Sequence, residues 1–156
     1  MMGTPLLWWF DYIDRDNMPM TPGPKYFHYK ALANYAAGED RRDPGLNVGS
    51  ITLAANPYPS QLRAMCLQSD SRAYCWIYDE PCMTTMKSDA NVVACKGITA
   101  TINGLKPGRY AVEFWDTFRG AVTGNATVNL AGNSLSIQLP EFTRDIAVKV
   151  KPAPKE

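Results

Sequence analysis

The feature of this sequence that most constrains its fold is a strict alternation of apolar and polar residues over short segments. Residues 98–103 read Ile-Thr-Ala-Thr-Ile-Asn, residues 134–139 read Ser-Leu-Ser-Ile-Gln-Leu, and residues 145–151 follow the same pattern. A period of two is that of a β-strand with one face in a core and the other exposed. The C-terminal two thirds of the chain therefore favour β-structure.

Eight strands are predicted in this part of the chain, and turn signals separate them. They cover residues 50–55, 61–68, 72–79, 97–105, 108–116, 126–130, 134–139 and 145–151. Pairs such as Asn56-Pro57 and Gly132-Asn133 mark the turns. Short alternating strands with frequent turns are typical of an antiparallel β-sandwich. The predicted fold class is mainly β, an antiparallel β-sandwich preceded by one strand-loop-helix unit.

Composition and charge exclude several classes of protein. The chain has 156 residues, a formal net charge of +1 and 46% hydrophobic residues. These values exclude a disordered chain, a coiled coil and a collagen. A near-zero net charge gives no electrostatic footprint for nucleic acid, and no apolar run approaches the ~20 residues that span a bilayer. The sequence also contains no Gly-rich phosphate loop and no Gly-x-Ser-x-Gly elbow, and we expect no cofactor.

The N-terminal segment differs from the rest and divides the chain into units at 1–42 and 43–156. Residues 6–10 form an apolar run typical of a strand that is buried on both faces. Residues 25–38 predict a helix with an apolar stripe, which consists of Tyr29, Leu32, Ala33 and Ala36. One strand and one helix cannot bury their apolar faces against each other. This segment needs a partner absent from the sequence, or it must pack on the predicted β-strands of the second unit.

The four cysteines are compatible with two interpretations, which are four buried thiols or two local disulfides. They are Cys66, Cys75, Cys82 and Cys95. None belongs to a Cys-x-x-Cys pair, which argues against a zinc site. If residues 70–71 form a two-residue loop, Cys66 and Cys75 lie directly opposite each other on neighbouring strands. Such a pair can be bridged in the closer, non-hydrogen-bonded register, and Cys82 and Cys95 could close the next loop.

Few other residues suggest chemistry. His28 falls in the predicted helix without a paired nucleophile. Asp116 and Asp145 fall in turn-like positions, where we expect them to cap backbone amides. Residues 8–12 read Trp-Trp-Phe-Asp-Tyr. Aromatic faces can stack on the C–H faces of sugars, and a flanking carboxylate can bind hydroxyls; the alternative is a buried aromatic strand.

Several motifs together resemble the C-terminal part of a glycoside hydrolase. Residues 6–17, Leu-Leu-Trp-Trp-Phe-Asp-Tyr-Ile-Asp-Arg-Asp-Asn, and residues 28–35, His-Tyr-Lys-Ala-Leu-Ala-Asn-Tyr, look like the end of a catalytic barrel. The enzymes concerned are (β/α)8 barrels of the cellulase and mannanase group with an appended β-sandwich. The C-terminal half is similar to that sandwich at residues 104–110, 114–117, 120, 139–140 and 144–147.

The resemblance implies a role for the N-terminal segment in binding sugar. Residues 6–10 would be the eighth barrel strand and residues 25–37 the eighth helix. Trp8 or Trp9 would line the sugar subsite next to the cleaved bond. Asp11 is the flanking carboxylate that we expect, from its residue type, to bind sugar hydroxyls. The catalytic carboxylate pair of such enzymes would come from barrel strands that precede Met1. The resemblance also implies an extracellular or periplasmic location, although residues 1–10 do not read as a signal peptide.

The sequence thus predicts a C-terminal fragment of a glycoside hydrolase that is not catalytic alone. It would reach carbohydrate through its parent barrel, whose N-terminal part is missing here, and would bind no nucleic acid, membrane or metal. The alternative is a stand-alone carbohydrate-binding or interaction module, and a third possibility is a small enzyme assembled as an oligomer. An exposed row of aromatics on one sandwich face would favour the module, and an unpaired apolar strand at residues 6–10 would favour the fragment.

The first testable expectation concerns folding. Residues 46–151 should fold without residues 1–42, because their alternating strands can close a core of their own. Residues 39–45 should be the preferred protease site if the two units dock weakly. Expression of residues 46–151 alone, followed by urea unfolding, checks the boundary, and the absence of a cooperative transition would count against it.

Overall fold

The computed structural model describes residues 27–40, 42–55, 61–84 and 92–154 of the chain. The strand predicted at residues 6–10, and with it most of the predicted strand-loop-helix unit, lies outside these ranges. Within them, no helix is long and apolar enough to cross a membrane.

The described residues form mainly β-structure, with one helix ahead of the strands. Helix α1 covers Phe27–Ala36, and a short helix, α2, covers Glu80–Thr84. The strands are β1 (Asn47–Val48), β2 (Ser50–Ala55), β3 (Leu62–Gln68), β4 (Ala73–Asp79), β5 (Ile98–Asn103), β6 (Gly108–Asp116), β7 (Ala121–Leu130), β8 (Ser134–Gln138) and β9 (Asp145–Pro152). The prediction of a mainly β, sandwich-like fold preceded by a helix is confirmed.

The strands form two antiparallel sheets. The larger sheet has the strand order β1-β3-β4-β9-β6-β7, and the smaller sheet has the order β2-β5-β8. The core lies between them and takes alternate residues of each strand, as the period of two predicts. It includes Ile98, Ala100, Ile102, Leu135 and Ile137 from the smaller sheet, and Cys75, Ile77, Val112, Phe114, Ile146, Val148 and Val150 from the larger one.

Strand β7 is longer than the sequence pattern suggests. It begins at Ala121, whereas the sequence predicts a turn at Gly124 and Asn125 before a strand at 126–130. The register between β6 and β7 shifts after Phe114, so that Phe114 lies opposite Gly124 and Trp115 opposite Val122. A glycine inside a strand often marks such a bulge rather than a turn, which explains the difference.

The hairpin of β3 and β4 has the predicted register. Cys66 lies opposite Cys75, and the Ser69 amide donates to the Arg72 carbonyl across the two-residue loop at 2.9 Å. Counting back from this hydrogen-bonded pair places Cys66 and Cys75 in a non-hydrogen-bonded pair, because the two types alternate. The Cys66 carbonyl accordingly accepts from the Gly49 amide, on the side away from β4, at 2.8 Å.

Helix α1 packs on the outer face of the larger sheet, and the side that it buries overlaps the predicted stripe only in part: Leu32 lines the cavity between helix and sheet. Ala31 is 5% exposed, whereas Ala33 of the predicted stripe is exposed. Ala31 is buried because α1 approaches the β6–β7 turn closely, so that Ala31 packs against Gly120. The chain leaves α1 through Gly38, whose φ of 74° ends the helix as expected. The division into units at 42/43 stays a prediction.

The contact between Ala31 and Gly120 leaves no room for a side chain on the turn. Gly120 has a φ of 61°, and a Cβ atom added there would lie 2.3 Å from the Ala31 Cα atom. Both the backbone conformation and the space therefore require glycine. The helix can sit this close to the sheet only because the turn presents bare backbone.

A matched pair of glycine substitutions tests this docking. Gly120→Ala should lower the free energy of unfolding by about 1–3 kcal/mol, through the strained φ and the clash with α1. Gly38→Ala is the control, because Gly38 also has a positive φ, of 74°, but a Cβ atom added there meets nothing within 4 Å. Urea unfolding of both variants measures the difference. Equal stability of the two variants would contradict the close approach of α1.

Candidate functional site

The outer face of the larger sheet carries a group of aromatic side chains. Because Cys75 and Ile77 point into the core, alternation places Tyr74, Trp76 and Tyr78 of β4 on the opposite face. Trp76 and Tyr78 stack at a centroid distance of 4.4 Å. Both are half-buried, and they lie on the same face as helix α1. This face combines aromatic rings with charged groups.

A buried ion pair fixes the C-terminal end of α1 to this face. The Lys149 Nζ atom lies 3.2 Å from the Glu39 Oε1 atom, and the two side chains are only 2% and 6% exposed. The Tyr74 hydroxyl donates to the Glu39 Oε2 atom at 2.7 Å. Lys151 also contacts the Glu39 Oε1 atom, at 3.5 Å, and reaches Glu113 at 3.2 Å. We call Glu39, Lys149, Tyr74, Lys151 and Glu113 the ionic cluster.

Two aromatic rings cover the Lys149 ammonium group. Its Nζ atom lies 4.9 Å from the Tyr35 ring centroid and 4.8 Å from the Trp115 centroid. The two rings meet edge to face at 5.4 Å. Cation–π contacts of this kind strengthen when water is excluded. The Tyr35 hydroxyl also donates to the Val148 carbonyl at 2.9 Å, so the same side chain ties α1 to β9.

The protonation states of the ionic cluster follow from these contacts. Burial raises the pKa of Glu39, but hydrogen bonds from Tyr74 and Lys149 outweigh it and leave the pKa lowered. Burial and the hydrogen bond to Glu39 raise the pKa of Tyr74 to about 12. At neutral pH Glu39 is therefore a carboxylate and Tyr74 is a protonated donor, which is the combination that the geometry requires.

An apolar cavity of about 220 Å³ opens beside the ionic cluster, between α1 and the sheet. Its walls are formed by Ala31, Leu32, Tyr35, Trp76, Trp115, Asp116, Thr117, Gly120, Asp145 and Ala147. The Asp145 carboxylate accepts from the Trp76 Nε1 atom and from the Thr117 hydroxyl, each at 2.7 Å. Burial raises the pKa of Asp145 despite these two hydrogen bonds. The cavity is thus lined both by indole rings and by the Asp145 carboxylate, whose orientation two hydrogen bonds fix.

A second, more polar groove of about 410 Å³ shares the residues Trp115, Asp116, Thr117 and Asp145 with the cavity. It lies between the β6–β7 turn and the segment that leads into β9. Arg144 in its wall has a φ of 66°, a conformation that residues other than glycine rarely adopt and that often occurs at functional sites. We call the cavity and the groove together the end cleft.

The two aspartates expected to cap turns behave differently. The Asp116 Oδ1 atom accepts from the amides of Phe118 and Arg119, each at 2.9 Å, which confirms its role as a cap. The prediction for Asp145 is wrong, because both its oxygens accept from side chains, those of Trp76 and Thr117. The reason is that Asp145 begins β9 and faces the aromatic side of the sheet rather than a turn.

The four cysteines are buried and carry free thiols in this structure, and two of them meet as the register requires. The Sγ atoms of Cys66 and Cys75 lie 3.2 Å apart. The Cys82 thiol donates to the Asp79 carboxylate at 3.1 Å. The backbone of Cys95 pairs with that of Phe142 in an isolated antiparallel β-bridge. The hydrogen bond to Cys66 and burial raise the pKa of the Cys75 thiol, which slows its oxidation in the folded protein. Both disulfide pairings stay predictions.

The remaining predicted site residues, Trp8, Trp9 and Asp11, lie outside the described residues, so their sugar-binding role also stays a prediction. No protein-family model matches the chain, and no curated protein sequence is significantly similar to it. The sequence did not predict the ionic cluster or the end cleft.

Substitution in the ionic cluster gives a direct stability prediction. Glu39→Gln should lower the free energy of unfolding by about 3–5 kcal/mol, because it leaves the Lys149 charge buried beside a neutral partner. Glu80→Gln is the control, since it breaks the exposed pair of Glu80 and Arg63, 2.9 Å apart, and should cost about 0–1 kcal/mol. Urea unfolding compares the two, and equal losses would contradict the role of the buried pair.

Oxidative refolding tests the cysteine pairing. Refolding the reduced, unfolded chain in a glutathione redox buffer should join Cys66 to Cys75, because the hairpin places them in the pair that a disulfide can span. Cys82 and Cys95 should join each other. Non-reducing peptide mapping reads the pairing, with Cys66→Ser as the variant that should leave Cys75 free. Cross-pairing between the two sets, or four free thiols, would contradict the prediction.

Proposed function

We propose that this chain is the C-terminal part of a glycoside hydrolase and is not catalytic alone. In this proposal the sandwich holds helix α1 in place. The segment ahead of α1 contributes Trp8 or Trp9, together with Asp11, to the binding of sugar. The resemblance of residues 6–17 and 28–35 to the end of a catalytic barrel supports the proposal, and so does the likeness of the C-terminal half to the sandwich of such enzymes.

One observation carries the proposal that the sandwich holds helix α1 in place. It is the burial of the Glu39–Lys149 pair beneath the end of α1. Moving a helix away from such a pair would leave a charge unpaired in an apolar setting, which costs several kcal/mol. An accessory domain that holds the last helix of a barrel needs attachment of this kind. The hydrogen bonds from Tyr35 to Val148 and from Asn34 to Gly120, at 2.9 and 3.1 Å, add to it.

A stand-alone carbohydrate-binding module is the second candidate, and the aromatic outer face favours it. Trp76 and Tyr78 are stacked and half-buried on this face, so that part of each residue remains accessible to a sugar. The two candidates share the carbohydrate partner and the extracellular or periplasmic location, both of which remain proposals. The first candidate requires a sugar contact ahead of α1, whereas the second requires only a contact on the sandwich.

Activity measurements test the proposed function. The chain alone should not hydrolyse aryl-glycosides or β-glucans, because hydrolysis needs two positioned carboxylates and the proposal places that pair in the missing barrel. The gene upstream of Met1 should encode an in-frame barrel, and the joined protein should be active. In that protein, Trp8→Ala or Trp9→Ala should lower kcat/KM about tenfold or more, since stacking and burial of an indole are lost.

Two results would contradict this proposal. One is hydrolysis by the isolated chain that is lost when one of its carboxylates is changed to the amide, for example Asp145→Asn. The other is an upstream reading frame that encodes no barrel. Val48→Ala in the joined protein is the control for kcat/KM, because Val48 is 87% exposed at the sheet edge.

A further inference from the structure

The end cleft has the two kinds of surface that a sugar ring presents. Its inner part is apolar and is walled by the rings of Trp76, Trp115 and Tyr35. Such faces match the C–H faces of a pyranose, which are apolar although its rim is polar. Trp76 and Tyr35 line the cavity of about 220 Å³, and the adjoining groove of about 410 Å³, which neither of them lines, falls within the range of small-molecule sites in proteins.

The Asp145 carboxylate stands between the apolar and the polar parts of the end cleft. Trp76 and Thr117 each donate to one of its oxygens, at 2.7 Å, and these two bonds fix its orientation. A carboxylate can accept about four hydrogen bonds, so each oxygen keeps capacity for a further donor. A sugar hydroxyl is a donor of the right size, and the indole of Trp76 lies directly beside it.

The charges that line the end cleft nearly cancel. The carboxylates are those of Asp116, Glu141 and Asp145, and the guanidinium groups are those of Arg119 and Arg144. Arg119 lies 3.8 Å from the Asp116 carboxylate, so part of each charge is neutralised locally. A cleft with both signs of charge has no strong preference for an anion or a cation, but it offers many donors and acceptors to a neutral, hydroxyl-rich ligand.

We propose that the end cleft binds a neutral oligosaccharide, with a sugar ring stacked on Trp76 and a hydroxyl bound to Asp145. This site rests on the carbohydrate role proposed above and extends that role from the N-terminal aromatics to the sandwich itself. It would hold a substrate chain near the parent enzyme, or serve as the binding site of a stand-alone module. In both cases the end cleft recognises the same kind of ligand, a neutral sugar chain.

Nuclear magnetic resonance of the four tryptophan indoles tests the site. Cellotetraose and mannotetraose are titrated at millimolar concentration into the ¹⁵N-labelled chain, with tetragalacturonate as the anionic comparison. A neutral tetrasaccharide should shift the indole N–H signals of Trp76 and Trp115. Trp76→Ala should weaken the binding about tenfold or more, since ring stacking and burial are lost. Val93→Ala, which truncates a residue 68% exposed, should leave it unchanged.

Two further variants keep the test decisive. Trp76→Phe retains an aromatic ring if Trp76→Ala does not fold, but loses the hydrogen bond to Asp145, and should also weaken the binding. The double variant Trp8→Ala/Trp9→Ala should keep the shifts at Trp76. Signal shifts confined to Trp8 and Trp9 would contradict sugar binding in the end cleft but would leave the proposed function intact. Binding of tetragalacturonate alone, or of no saccharide, would also contradict the proposal that the end cleft binds a neutral oligosaccharide.

Discussion

The ion pair of Glu39 and Lys149 joins the end of helix α1 to the outer face of the larger sheet. Neither charge is stable in an apolar setting by itself, and desolvation of the pair is offset only when its geometry is complete. Here Tyr74 donates to the second carboxylate oxygen, and the rings of Tyr35 and Trp115 cover the ammonium group. Lys149 belongs to β9 in the middle of the larger sheet, whereas Glu39 lies just beyond the end of α1. The pair therefore joins the helix to the centre of the sandwich.

The end cleft depends on the same arrangement. Tyr35 and Trp115, which cover Lys149 on one side, form walls of the cavity on the other side. Gly120 allows α1 to approach the β6–β7 turn, and the cavity lies between that helix and the sheet. A displacement of α1 would consequently open the ionic cluster and remove one wall of the cavity. Attachment of the helix and shape of the cleft are therefore two consequences of one packing arrangement.

The alternation of residues was sufficient to predict the sandwich, because the period of two directly encodes which side chains enter the core. The two-residue loop at 70–71 was likewise sufficient for the register that opposes Cys66 and Cys75. The ionic cluster could not be predicted in this way. Lys149 alternates with Val148 and Val150 as an exposed residue should, but the Trp115 ring of β6 and the docked helix from the other end of the chain cover it. The role of Asp145 was missed for a related reason, since its partners Trp76 and Thr117 come from two other parts of the chain.

Amide hydrogen exchange of helix α1 tests most directly whether the ionic cluster fixes it to the sandwich. The amides of Tyr35 and Ala36 should exchange slowly in the wild-type chain and clearly faster in Lys149→Met, which removes the closer of the two lysine ammonium groups beside Glu39. The amides of β5 and β8, in the other sheet, should keep most of their protection, because the core between the sheets is unchanged. Equal exchange of α1 in the two proteins would contradict the account and would assign the docking of the helix to its apolar contacts and to the hydrogen bonds of Asn34 and Tyr35.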